Sequence, residues 1–298
     1  MRPIHNILVG IDLRPRDGRL TQGSKSAIRQ AARLARASGA RVHFLYSDQH
    51  NPENEVGEDF DPAQGEAHLR EFCARKGLPE ASWLLSHEPA WLAIIHQVLS
   101  EGYDLVIVAK RNRSRRMDRK LGSTSMKLVR KCPCPVWVVQ PDYEHDEGPI
   151  LVATDLGPVG VEALAWGAEL AQEEDRKLSV VHAMQVPLEL QLGGSRLGDV
   201  EYQKLLDEEL DKVTHEVHSH PIVRAMGKRA KVVISWGSPS EVILKVERKI
   251  EPSLTVLGSV GRGGIPGFLL GNTAERLVYR LESSLLVVKP KDFVCPVE

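Results

Sequence analysis

The 298-residue chain is written twice, and any fold proposed for it must accommodate both copies. His5-Asn6-Ile7-Leu8-Val9-Gly10-Ile11-Asp12-Leu13 matches Gly148-Pro149-Ile150-Leu151-Val152-Ala153-Thr154-Asp155-Leu156. Leu121-Gly122-Ser123-Thr124, followed by Lys127-Leu128-Val129-Arg130, matches Leu270-Gly271-Asn272-Thr273, followed by Arg276-Leu277-Val278-Tyr279. Val136-Trp137-Val138-Val139-Gln140-Pro141 and Leu285-Leu286-Val287-Val288-Lys289-Pro290 end the two copies alike, and Ala109 to Gly122 keeps the spacing of Gly258 to Gly271. Matches in a conserved order predict two copies of one folding unit, 1–144 and 145–298. The polar stretch Asp142 to Gly148, after Pro141, is the expected joint.

Within the first unit, apolar runs near 6–12, 41–47, 82–87, 104–109 and 135–140 alternate with helix-period segments near 22–38, 62–76, 89–101 and 122–131. The second unit predicts strands near 149–155, 177–183, 230–236, 253–258 and 284–289. Its helices are expected near 158–173, 239–250 and 271–281, with a long one within 198–226. Runs such as Leu105-Val106-Ile107-Val108 are apolar without alternation, which suits parallel strands covered on both faces. Ile28, Ala31, Ala32, Leu34 and Ala35 form a helical stripe that Gly39 ends. Strand and helix in alternation require right-handed crossovers, so the fold class is α/β: two tandem, doubly wound, five-stranded parallel-sheet domains. The terminal strands Val136–Val139 and Leu285–Val288 are edges that need partners, and they predict an intramolecular pseudo-dimer.

Composition narrows the functional classes. A formal charge of −1 gives no global attraction to nucleic acid or anionic membranes. No apolar run is long enough to span a bilayer, and Met1 to Asn6 leads into a strand without a signal-peptide core. Cys73, Cys132, Cys134 and Cys295 form no disulfide framework, so a reducing cytoplasm is the expected location.

One stretch states a chemistry. Leu254-Thr255-Val256-Leu257 runs into a glycine-rich loop holding Gly258, Gly261 and Gly271, and Asn272-Thr273 opens the next helix. Glycines let a backbone approach a phosphate, and a helix start offers unpaired N–H groups to an anion. The spacing is neither a Walker loop nor a dinucleotide fingerprint. A tight strand-to-helix corner is the structural alternative. In doubly wound sheets ligands bind beyond the carboxyl ends of the strands, and there Asp155 can hold a nucleotide hydroxyl or a phosphate-bound metal, or simply cap the following helix.

Gly258-x2-Gly261-x9-Gly271-Asn272-Thr273, with the strand end Ile150 to Asp155, resembles the ATP-binding loop of universal stress protein domains, and the repeat resembles a tandem member of that family. The family has Ser or Thr where Asn272 stands; Thr273 follows it. The resemblance implies an adenine nucleotide alpha hydrolase-like fold and a stress-response or regulatory protein. It places ATP against Ala153, Asp155, Val181, Gly258, Gly261, Arg262, Gly271, Asn272 and Thr273, with Mg²⁺ held through the phosphates. His182 borders the same strand end as Val181 and is equally an ordinary half-buried residue. Family members commonly dimerise, which implies self-association of the tandem chain.

The first unit departs from the pattern: Ala109 and Asn112 replace Gly258 and Gly261, and Lys110–Lys120 carries seven positive charges in eleven residues. Poor ATP binding is expected there. The basic stretch is either a solvated loop or a contact for an acidic or phosphate-rich partner, without the aromatics that base stacking needs. Cys132-Pro133-Cys134-Pro135 suits a turn, two sulfurs alone making a weak metal site. His215 and His218 lie one helical turn apart without the pattern of a zinc site and read as a solvated face. No nucleophile–base pairing is visible, so no catalytic residue is assigned. A slow ATP hydrolase and a nucleotide-free scaffold remain as alternatives.

Overall fold

A computed structural model describes residues 4–14, 17–49, 62–78, 82–110, 122–141, 147–186, 199–261 and 270–297. Most of the basic stretch, the joint at 142–146, the connection 187–198 and Arg262 lie outside them.

In the first half β1 (Asn6–Ile11), α1 (Gln22–Ser38), β2 (Arg41–Ser47), α2 (Pro62–Arg75), β3 (Ser82–Ser86), α3 (Ala90–Glu101), β4 (Leu105–Ala109), α4 (Ser123–Lys131) and β5 (Val136–Val139) follow in order. The second half runs β6 (Ile150–Ala153), α5 (Pro158–Glu173), β7 (Leu178–Met184), α6 (Asp199–Ser219), α7 (Pro221–Met226), β8 (Ala230–Trp236), α8 (Pro239–Ile250), β9 (Leu254–Gly258), α9 (Asn272–Arg280) and β10 (Ser284–Val288). The single long helix expected within 198–226 is two helices. Pro221 has no N–H to continue the ladder, and His220 becomes the extended N-cap residue of a new helix. At α1 the expected stop holds: Gly39 adopts φ +73° and donates its N–H to Ala35 O, a left-handed cap that glycine reaches without strain.

All ten strands form one sheet, ordered β3-β2-β1-β4-β5-β10-β9-β6-β7-β8. Among the ten strands pairing is parallel within each half and antiparallel only at β5–β10, where Leu285 faces Val138 and Leu286 faces Trp137. The terminal strands thus join as their exposed edges required, making the halves a pseudo-dimer within one chain. Helices cover both faces, so β1, β4, β6 and β9 bury nearly every side chain in two apolar layers. In each half the strand order turns back between its first and fourth strands, β1/β4 and β6/β9, and this is where a crevice opens in such sheets. No helix of the described residues is long and apolar enough to cross a membrane.

Candidate functional site

At the β6/β9 switch point lies a cavity of about 400 Å³. Four elements supply its polar side. β6 ends in Ala153-Thr154-Asp155, tied to β7 by Thr154 N–H donating to Val181 O at 3.1 Å. The turn into α5 is tight. Leu156 sits in the left-handed region at φ +58°, unusual for a non-glycine residue. Thr154 Oγ1 accepts from Leu156 N–H at 3.0 Å and Asp155 Oδ1 from Gly157 N–H at 2.9 Å. Asp155 therefore shapes the turn before the helix, while Gly157 occupies the cap position without any side-chain bond.

β9 then delivers Gly258, Ser259, Val260 and Gly261 to the cavity wall. Ser259 N–H donates to Val288 O at 2.8 Å, and Gly271 N–H donates to Ser259 O at 2.7 Å, so the glycine-rich loop is pinned where it leaves and where it returns. Gly271 is the N-cap of α9 and has no side chain of its own to bond the first N–H groups, and Gly271, Asn272, Thr273 and Ala274 face the cavity. That helix start presents unpaired N–H donors and the positive end of a dipole. β7 and α8 supply the apolar side through Val181, Ala183, Pro239 and Ile243. An apolar slot beside a cradle of backbone donors suits a flat base joined to an anionic tail.

Of the residues expected from sequence, Ala153, Asp155, Val181, Gly258, Gly261, Gly271, Asn272 and Thr273 come together here. Arg262 lies outside the described residues. His182 does not line the cavity, because it alternates with Val181 and Ala183 along β7. Thr154, Gly160, Pro239 and Ile243 were missed. Gly160 is the third residue of α5, within its first turn. A Cβ there would stand 2.5 Å from Asp155 Oδ1 and 2.8 Å from Thr154 Oγ1, so only glycine leaves the carboxylate its place. Gly261 guards the other oxygen, a Cβ there lying 3.1 Å from Oδ2.

The glycine at 258 has a different cause. A Cβ on Gly258 would lie 2.8 Å from Val159 Cγ1, so the strand end is glycine because α5 places a valine against it. The first half reverses the pair: there Ala109 ends β4, and Gly23 of α1 faces it, with a Cβ on Gly23 lying 2.9 Å from that of Ala109. At the end of β1 the first copy is packed more closely. Ile94 packs so closely on Gly10 that a Cβ there would stand 2.8 Å from its Cδ1, whereas the matching Ala153 and Ile243 line the cavity. The turn after β1 is also longer, and Ser24 Oγ and Thr21 N–H both bond Asp12 O, at 2.7 and 3.2 Å.

Asp155 is the sole charged side chain among the described lining residues. It cannot attract a phosphate, so its carboxylate suits a ribose hydroxyl or a cation riding on phosphates. Among the described residues no cluster of three His, Cys, Asp or Glu side chains could hold a metal. That donor set fits Mg²⁺ coordinated mostly by phosphate and water, and does not fit a protein-caged ion.

Two linked switch-point halves in one sheet define a tandem, doubly wound α/β protein. A sequence model of the universal stress protein family matches residues 3–140 and 148–289. The chain belongs to the universal stress protein family. Universal stress protein E of Escherichia coli K12 is 30% identical over 235 residues, covering 76% of this chain and 73% of that protein. Universal stress protein E of Salmonella typhi is 28% identical over 247 residues, covering 79% and 78%. Among solved structures, a functionally unknown protein of Pseudomonas aeruginosa PAO1 superposes with a TM-score of 0.70 at 22% identity, over 97% of this chain and 94% of its own. A universal stress protein from Archaeoglobus fulgidus gives 0.64 at 19% identity, over 95% and 98%. Both share the tandem fold.

Proposed function

We propose that the second half binds ATP in the β6/β9 cavity and that the chain acts as a nucleotide-responsive regulatory protein. The observation that carries this reading is the convergence of an apolar slot with the Gly258–Gly261 backbone and the uncapped start of α9 around one carboxylate. The base fits against Val181, Ala183 and Ile243, and the phosphates fit the α9 N–H groups. Asp155 takes a ribose hydroxyl or approaches Mg²⁺ on the phosphates; the ion supplies charge neutralisation there. The first copy, which lacks the counterparts of Gly258 and Gly261, is the half suited to assembly and partner contact.

Calorimetry of the full chain with ATP and Mg²⁺ tests the reading, with one nucleotide per chain as the expected result. Gly261→Val brings a branched side chain against Asp155 Oδ2, and it is expected to weaken binding about tenfold or more while leaving the thermal transition in place. Unchanged affinity in a folded variant would show that the nucleotide sits elsewhere.

A further inference from the structure

Between α4 and β5 the chain runs Cys132-Pro133-Cys134-Pro135, and ATP binding gives this turn no task. Its geometry is that of a dithiol. Cys132 N–H donates to Leu128 O at 2.9 Å as the helix ends, and the turn brings the two sulfurs to 3.6 Å from each other. Disulfide bonding requires about 2.05 Å, a closure that side-chain rotation within one turn can supply. Cys132 is wholly buried, whereas Cys134 lines a cavity of about 280 Å³ between the two halves, shared with Tyr103, Asp104, Trp166 and Lys289.

Lys289 comes to this turn from the other half. At the end of β10 its buried ammonium donates to Val129 O and Arg130 O, the last carbonyls of α4, and lies 4.5 Å from the centre of the Phe293 ring. The hydrogen bond from Cys134 holds the Cys132 thiol below its ordinary range, and the Lys289 charge adds to this, while the same bond and burial push the Cys134 thiol well up, so at rest the proton of the pair sits on Cys134. Cys295 is engaged separately, its Sγ donating to Lys131 O at 3.3 Å. Cys73 shows what a merely packed cysteine looks like: it stands alone, and burial pushes its thiol up to about 12.

We propose that Cys132 and Cys134 are a reversible oxidation site, closing to an intramolecular disulfide when hydrogen peroxide enters the cavity between the halves. The two thiols share a hydrogen bond, and passage of the shared proton from Cys134 to Cys132 places the thiolate on the residue that lines the cavity. The Cys134 thiolate attacks the peroxide O–O bond, taking one oxygen as a sulfenic acid and releasing hydroxide, which is protonated to water. The Cys132 sulfur then displaces the sulfenic oxygen; the S–S bond forms and a second water leaves. Two thiols lose two electrons, and the peroxide is reduced to two waters.

The test uses the full reduced chain, treated with a few equivalents of hydrogen peroxide and digested without reductant. The expected result is loss of two hydrogens from the peptide containing both Cys132 and Cys134, reversible by dithiothreitol, before Cys73 or Cys295 changes. Cys132→Ser is expected to trap a dimedone-reactive sulfenic acid on Cys134. Cys134→Ser is expected to leave Cys132 unreacted at the same dose. Lys289→Met is expected to slow closure several-fold, and an unchanged rate would remove the ammonium from the scheme. Circular dichroism melts check that each variant is folded, and the wild-type peptide map decides even if one is not. Prior oxidation of Cys73 or Cys295, a Cys134–Cys295 link, or an unmodified Cys132–Cys134 peptide would overturn the proposal.

Discussion

Gly258 and Val159 form a contact pair, as do Ala109 and Gly23, and each pair keeps one glycine where a strand end meets a helix start. Gly258→Ala is therefore expected to cost about 1–3 kcal/mol through overpacking against Val159. Urea denaturation measures it, and adding Val159→Ala to Gly258→Ala should recover most of the loss. If the single variant is as stable as wild type, the contact does not dictate the glycine. This pair also marks where reading the sequence stopped short. The presence of Gly258 in only one copy suggested a ligand, but its packing partner is distant in sequence and could not be seen. Gly261 keeps the ligand argument, since its neighbour is the Asp155 carboxylate. Gly160 escaped notice because nothing in a helical pattern shows that a side chain from the preceding turn folds back over it.

At the scale of elements, apolar runs and helical stripes made most boundaries legible, because core burial dictates both. The α6–α7 break at Pro221 was not read, because apolar periodicity continues on both sides of it and hid the interruption. What no pattern displayed was the capping of α4 by a lysine from the other half. Burial lowers the Lys289 ammonium to about 8, against an unfolded value near 10.4. Between these values the unfolded chain binds more protons than the folded one, so stability rises with pH through that window, and below pH 8 the desolvation penalty is present in full. The full span corresponds to on the order of 3 kcal/mol. Measured against Lys289→Met, wild type is expected to gain stability progressively between pH 8 and 10. A constant difference across that range would mean that Lys289 titrates normally.

For the molecule as a whole, the antiparallel β5–β10 seam turns two five-stranded sheets into one structure. Val136, Trp137, Val138 and Val139 are buried against Leu285, Leu286 and Val287, and Gln140 N–H donates to Ser284 Oγ at 3.1 Å across the joint. Each half alone would leave this strand as an open apolar edge. The seam was legible because both copies end in the same apolar run; its antiparallel sense follows from the two-fold relation that pairing of identical edges imposes. Stability should therefore be shared. Val138→Asp buries a charge in the seam, a change expected to cost more than about 3 kcal/mol. Hydrogen exchange is expected to show lost protection in β1 and β4 as well as in β6 and β9, although the substitution lies in the first half alone. Loss confined to the first half would mean that the two sheets unfold independently. Loss in both would tie the shape of the β6/β9 cavity to the integrity of the first copy, giving that copy a structural role in the candidate site.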